Sequence, residues 1–151
     1  MASARVDVIA YGCTSGSFFK GSGWDRQVSQ IITDSTGIPA VTTATAMLEA
    51  LAASRIKKVC VVTPYPDEIN ARLRSFLENN GCEVVKLVGM NIKDARKHAE
   101  VTFNDICRGA IESVRTPGDG MFIACTQLRA LDVINVLERD LGVVVIGAGQ
   151  A

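Results

Sequence analysis

Short apolar runs alternate with amphipathic stretches along almost the whole chain, and this alternation is the strongest constraint on its fold. Residues 6–11 (VDVIAY), 38–41, 58–62, 83–88, 121–124 and 143–146 read as strands. Between them, 24–36, 43–54, 66–80 and 127–141 read as helices, and 94–114 reads as one long helix or two broken ones. Trp24, Val28, Ile31 and Ile32 show the helical spacing of three and four, and Gly37 and Gly81 follow as stops. Pro66 suits the first turn of a helix, and 116–120 (TPGDG) is a turn. The strand runs are apolar without alternation, as expected for strands buried on both faces of a parallel sheet. Right-handed crossovers then give a doubly wound, mostly parallel α/β architecture, whose ligands bind at the carboxyl ends of strands.

Composition narrows the function classes. A length of 151 residues fits one domain, and 48% hydrophobic with 21% charged residues excludes a disordered chain. Sixteen basic and sixteen acidic residues cancel, so no global field attracts nucleic acid or an anionic membrane. An anion would need a local site. No run approaches the roughly 18 apolar residues of a membrane span. Residues 1–6 lack the basic and apolar regions of a signal peptide, which predicts a cytoplasmic protein. The cysteines number five, none in a C-x-x-C pair, and His98 is the single histidine. Neither a disulfide scaffold nor a metal site is expected from that count.

Two cysteines stand out from the other three. Cys13-Thr14 and Cys125-Thr126 each fall where a strand ends and a helix or a Gly/Ser turn begins. A nest of backbone N–H groups at such a place favours a thiolate. Two such groups facing across a cleft can take a proton from one face of a carbon and return it to the other. Alternatively, one can add to a double bond while the other acts as acid. The plainer reading is two small buried residues at strand ends. Thr14, Ser15 and Ser17 suit a carboxylate or oxyanion, or else a helix cap or Ser/Thr turn. Tyr65 is held between Pro64 and Pro66, either facing a site or packing with its hydroxyl in water. His98 lies among Lys93, Asp94, Arg96, Lys97 and Glu100 and reads as a solvated helix residue. Cys60, Cys82 and Cys107 read as packing residues. Gly147-Ala148-Gly149 has no following helix or acidic partner, so it is a poor dinucleotide fingerprint.

Four stretches together carry a family resemblance: DVIAYGCTSGSFFKG, TGIPAVTTATAMLEAL, VCVVTPYPDEINARLRSFLENNGCEVV and FIACTQLRALDVINVLERDLGVVVI. They cover nearly the whole chain in one order. The chain resembles the aspartate/glutamate racemase superfamily, in its maleate isomerase and arylmalonate decarboxylase branch. The resemblance implies two similar α/β lobes facing each other across a cleft, one cysteine from each, with no cofactor. Cys13 falls at the first cysteine position and Cys125 at the second. In the racemases both thiols handle protons, and in the maleate isomerases one thiolate attacks the alkene carbon. In the arylmalonate decarboxylases glycine replaces the first cysteine, so Cys13 argues against that chemistry. Thr14, Ser15 and Tyr65 fall where this branch holds carboxylate or enolate oxygens. Asn91 matches a substrate-binding asparagine of the isomerases, and the Thr126 amide would join the oxyanion donors.

The resemblance also implies a chain shortened at both ends, without the usual first strand and last helix. Where the family has a Ser-Ser-Asn-Gln-like turn, this chain has Gly147-Ala148-Gly149-Gln150. Residues 1–42 are expected to form part of a first lobe and 43–151 the second. An exposed sheet edge predicts a homo-oligomer. The expected function is cofactor-independent isomerisation or racemisation of a small dicarboxylate or amino acid, maleate-type cis–trans exchange first. The alternatives are an arylmalonate-type decarboxylase using Cys125 alone and a non-catalytic domain that binds a carboxylate or a partner.

Overall fold

The computed structural model describes residues 5–151. The reading of 1–6 as lacking a leader therefore falls mostly outside the described residues. The strands are β1 (Ile9–Tyr11), β2 (Ala40–Thr42), β3 (Lys58–Thr63), β4 (Glu83–Gly89), β5 (Gly120–Ile123) and β6 (Val144–Gly147). The helices are α1 (Thr14–Phe18), α2 (Trp24–Thr36), α3 (Thr43–Ala53), α4 (Asp67–Asn79), α5 (Phe103–Ser113) and α6 (Leu131–Leu141). A 3-10 helix, Ala95–Glu100, precedes α5.

The strands form two parallel sheets, β1–β2 and β4–β3–β5–β6. In the larger sheet, β3 continues to β4 on one side and to β5 on the other, so the order reverses beside β3. That reversal is the switch point where parallel sheets open a crevice at their carboxyl ends. Val59 to Thr63 are all buried, because β3 is central and both its faces are covered. The core runs through Val61, Leu73, Phe76, Ile106, Phe122 and Val133.

Two departures from the periodicity bear on the site. The stretch 94–114 is broken, because Thr102 caps α5 reciprocally with Asp105. The Thr102 hydroxyl accepts from the Asp105 amide, and the Asp105 carboxylate accepts from the Thr102 amide. The helix expected from 127 begins only at Leu131. Residues 126–129 form a turn instead, closed by the Leu128 amide donating to the Cys125 carbonyl at 3.2 Å and anchored by buried Leu128. The Gly/Ser-rich segment after Cys13, read as a turn, winds into the single turn of α1.

α1 is fastened to the larger sheet's helix layer. Phe18 is buried against Phe76 of α4, with ring centroids 5.9 Å apart. The Trp24 indole donates to the Gly16 carbonyl at 3.0 Å. The loop bearing Cys13 is thus pinned from both sides.

Candidate active site

Both cysteine loops leave the carboxyl ends of parallel strands. Cys13 follows β1 by one residue past Gly12 and forms the N-cap of α1. It is exposed, with Sγ 4.0 Å from Ser15 Oγ. The Tyr11 phenol lies beside the Cys13 sulfur, and desolvation with that sulfur's proximity raises the phenol's pKa. Gly16 leaves room for this pair: a Cβ would stand 2.6 Å from the Tyr11 hydroxyl and 3.1 Å from Cys13 Sγ, and the Tyr11 ring would have to shift.

Cys125 follows β5 at the switch point, next to the end of β3. It is buried, and its φ of 85° lies in the region that favours glycine. Bonds on both sides hold that conformation. The Ala124 amide donates to the Val62 carbonyl at 2.9 Å, and the turn to Leu128 follows. Burial raises the thiol's pKa, while the Gln127 and Leu128 amides and the Tyr65 phenol oppose the rise. Cys125 therefore sits as a thiol aimed into a small cradle of donors.

Tyr65 reaches the same place from the end of β3, and its hydroxyl is not in water. The residue is buried beside Cys125, and desolvation first, then the sulfur, pushes its pKa far up. Its loop is clamped. The Thr63 hydroxyl accepts from the Tyr65 amide at 3.1 Å and donates to Asn70 Oδ1 at 2.6 Å. Asn70 Nδ2 donates to the Tyr65 carbonyl at 2.9 Å. Gly89 makes room for that amide, which a Cβ would overlap. A network with every member paired fixes its geometry rather than leaving the ring to chance.

The two loops are joined directly. Thr126 Oγ1 donates to the Gly12 carbonyl at 2.8 Å, linking the residue after one cysteine to the residue before the other. A charge on Cys13 raises the pKa of both Cys125 and Tyr65, so the three groups share one field. Thr14 Oγ1 is buried beside the Tyr65 hydroxyl, near enough to oppose the rise in the phenol's pKa, and it completes no well-formed hydrogen bond among the described residues. An unpaired buried hydroxyl is costly unless a ligand or water completes it.

Asn91 is placed differently. It is exposed, with φ of 53°, in a loop tied to the end of β3 by Met90 N to Thr63 O and Ile92 N to Pro64 O, both 2.9 Å. It shares a hollow with Pro66, Asp67, Glu68 and Lys93. Among the described residues its side chain makes no hydrogen bond to the cysteine cluster.

His98 is the residue the sequence reading missed. It is buried, not solvated, with Nδ1 3.8 Å from Cys125 Sγ and its ring edge-on to Tyr65. The neighbouring charges suggested an exposed helical face. A 3-10 helix has three residues per turn, which puts His98 and Val101 on one buried side while the charged residues project outward. Cys60 and Cys82 are buried and Cys107 half-buried, as packing residues should be.

A hollow of about 540 Å³ lies along α5 and the 3-10 helix, and its lining includes none of the cysteines, Tyr65 or Thr14. Its lining mixes Lys97 and Arg108 with Glu100, Asp105 and Glu112. The cysteine crevice has convergent thiols, a phenol and an unpaired hydroxyl, so it remains the candidate site.

Burial makes a prediction about stability. Cys60, Cys82, Cys107, Cys125 and Tyr65 all have raised pKa values, with desolvation the leading cause. The folded protein therefore keeps protons that the unfolded chain releases. Stability is full below the ordinary thiol range and falls as pH climbs above about 8.5. A melting temperature that stays level from neutrality to about pH 10.5 would contradict this.

A parallel α/β fold with a cysteine at the mouth of each sheet defines the class of protein. The family model for arylmalonate decarboxylase matches residues 1–151, and the chain belongs to that family. It is 31% identical over 149 residues to arylmalonate decarboxylase of Bordetella bronchiseptica, an alignment covering 95% of this chain and 61% of the relative. It is 26% identical to maleate isomerase of Pseudomonas putida, covering 100% of this chain and 63% of that one. The crystal structure of arylmalonate decarboxylase superposes with a TM-score of 0.90 at 26% identity, over 99% of this chain and 66% of that chain. The maleate isomerase of Pseudomonas putida S16 gives 0.88 at 28%, over 97% and 62%. The chain thus spans less than two thirds of the length of these relatives. No described helix is long and apolar enough to cross a membrane.

Proposed function

We propose that this chain carries the two-thiol site of an isomerase acting, without a cofactor, on a small unsaturated dicarboxylate, of the maleate cis–trans type. The carrying observation is the Thr126–Gly12 hydrogen bond, which brings the loops of Cys13 and Cys125 to one crevice. In this reading residues 1–42 supply the nucleophile and 43–151 the acid.

Exposed Cys13 attacks as thiolate, and a C–S bond forms at one alkene carbon. The π pair moves onto the adjacent carboxylate as an enediolate. The hydroxyls of Thr14 and Ser15, the Thr126 amide and the Tyr65 phenol receive that charge; unpaired Thr14 Oγ1 supports this assignment. The former double bond rotates. The pair then returns, the C–S bond breaks, and the trans diacid leaves with Cys13 again a thiolate. Cys125, kept protonated by burial, serves as the acid: it lends its proton to the carbon that gains charge and takes it back before the pair reforms the double bond and the C–S bond breaks. Asn91 would meet the distal carboxylate from its loop. Loss of one such oxyanion donor, as in Tyr65→Phe, typically lowers turnover by about 10²–10³.

A second reading is decarboxylation of a 2-aryl malonate with Cys125 alone as proton donor. The family match and the 31% identity to a decarboxylase are its support, as the maleate isomerase relatives support the first reading. Proton NMR in D₂O, with maleate, L-aspartate, L-glutamate and phenylmalonate present together, separates these chemistries. The vinylic signal of fumarate is the expected result. Loss of an α-proton signal would mean racemisation, and a deuterated arylacetate would select the decarboxylase. A spectrum without change would overturn the enzymatic reading in favour of a carboxylate- or partner-binding domain.

A further inference from the structure

We infer that His98 is the proton-accepting partner of Cys125, taking the thiol's proton on Nδ1 in the free protein, when no substrate carbon is there to receive it. The inference rests on Cys125 being chemically active, as proposed above, but not on which substrate it serves.

The ring's tautomer carries the argument. His98 Nε2 lies 3.1 Å from the Ile92 carbonyl oxygen. A carbonyl can only accept, so Nε2 bears the hydrogen. In the neutral ring Nδ1 then has a free lone pair, and it points at Cys125 Sγ, 3.8 Å away. The thiol is the donor in that pair. The same two atoms define the transfer: the S–H bond breaks, its electrons stay on sulfur, and the proton forms an N–H bond at Nδ1. The thiolate and imidazolium so formed neutralise each other inside a buried cluster, where an isolated thiolate would be costly.

The ring cannot swing away from this task. His98 is 6% exposed, the Ile92 bond fixes one edge, and the Tyr65 ring sits 5.7 Å away at 63°. The loop carrying Ile92 is itself bonded to Pro64 beside Tyr65. The orienting carbonyl, the imidazole and the thiol form one chain, the arrangement that positions a base against a nucleophile. The other titratable groups facing the pair are the Tyr65 phenol, the Cys13 thiol across the crevice and the Asp94 carboxylate, already held by Arg96. Gln127 adds a neutral amide oxygen 4.0 Å from Sγ.

The role is tested without any substrate, so failure of the dicarboxylate reading leaves this test standing. His98→Gln retains an N–H placed to reach the Ile92 carbonyl and loses the basic Nδ1. Iodoacetamide alkylation of Cys125, read peptide by peptide in the intact folded chain, is the measurement. At about pH 7 wild-type Cys125 is expected to react at least about tenfold faster than in the variant, with the ratio approaching one in alkali, where hydroxide removes the proton instead. A purely structural histidine would not produce that pH-dependent ratio. Equal rates from about pH 6 to about pH 10 would overturn the inference. Should the glutamine variant not fold, the single histidine allows a second measurement on ¹⁵N-labelled protein. Replacing Cys125 by alanine should shift the Nδ1 resonance and leave Nε2 in place. An unmoved Nδ1 signal also overturns the inference.

Discussion

Cys13→Ser is expected to lower turnover of a cis dicarboxylate by about 10³ or more while leaving the fold intact. A hydroxyl in place of the thiol has almost no anionic form near neutrality, and as an alcohol it is a far weaker nucleophile toward an alkene carbon. Packing gives no competing explanation. Cys13 is exposed, and its nearest polar contact is Ser15 Oγ at 4.0 Å. What holds α1 lies elsewhere, in the Phe18–Phe76 pair and the Trp24–Gly16 bond. Exposed substitutions of this kind change stability by less than about 0.5 kcal/mol. The melting temperature should therefore shift by at most about 2 °C. The vinylic NMR signal measures the rate, and calorimetry measures the fold. Turnover within tenfold of wild type would remove Cys13 from the chemistry. The same variant separates the two proposed reactions, since a decarboxylase relying on Cys125 alone would release CO₂ from phenylmalonate undiminished.

The larger sheet was legible in the sequence because its signal is hydrophobic and local. VCVVT fills both faces of β3 without alternation, and only a central parallel strand needs that. Cys13 and Cys125 were legible as strand-end residues for the same reason, and structure adds that Thr126 and Gly12 bridge them. What escaped depends on contacts distant in sequence or on a different helical period. His98 sits in a segment wound as a 3-10 helix, so its neighbours' charges gave no guide to its own burial. The start of α6 escaped because a buried Leu128 and a left-handed Cys125 shape the preceding turn, and neither leaves a propensity signal. The Tyr65 clamp escaped because Asn70 reads as one more polar helix residue until β4 and Gly89 are placed against it.

Cys125→Ala and Cys125→Gly are expected to abolish turnover alike, with losses of about 10²–10⁴, and yet to differ in stability. Both remove the thiol proposed as proton donor at the carboxyl end of β5. Only glycine removes the backbone cost of a side chain at φ of 85°. Alanine keeps that cost, about 1–2 kcal/mol for a residue with a Cβ. Glycine's greater freedom in the unfolded chain recovers part of the difference, leaving the glycine variant more stable by about 1 kcal/mol. For a chain of this size that is a melting temperature about 2–4 °C above the alanine variant. The comparison is cleaner than either variant against wild type, since both lose the buried sulfur and its contacts with the Gln127 and Leu128 amides. An alanine variant as stable as the glycine variant would show that the conformation costs no more than glycine's extra freedom in the unfolded chain. Turnover surviving in either would remove Cys125 as the acid. The expected pattern, loss of activity with the glycine backbone the easier one, would mean that this strand end holds a thiol at the expense of stability. Strain of that kind persists only where the surroundings over-determine it, as the Ala124–Val62 and Leu128–Cys125 bonds do here. The thiol is then best understood as a functional group that the fold is built to present.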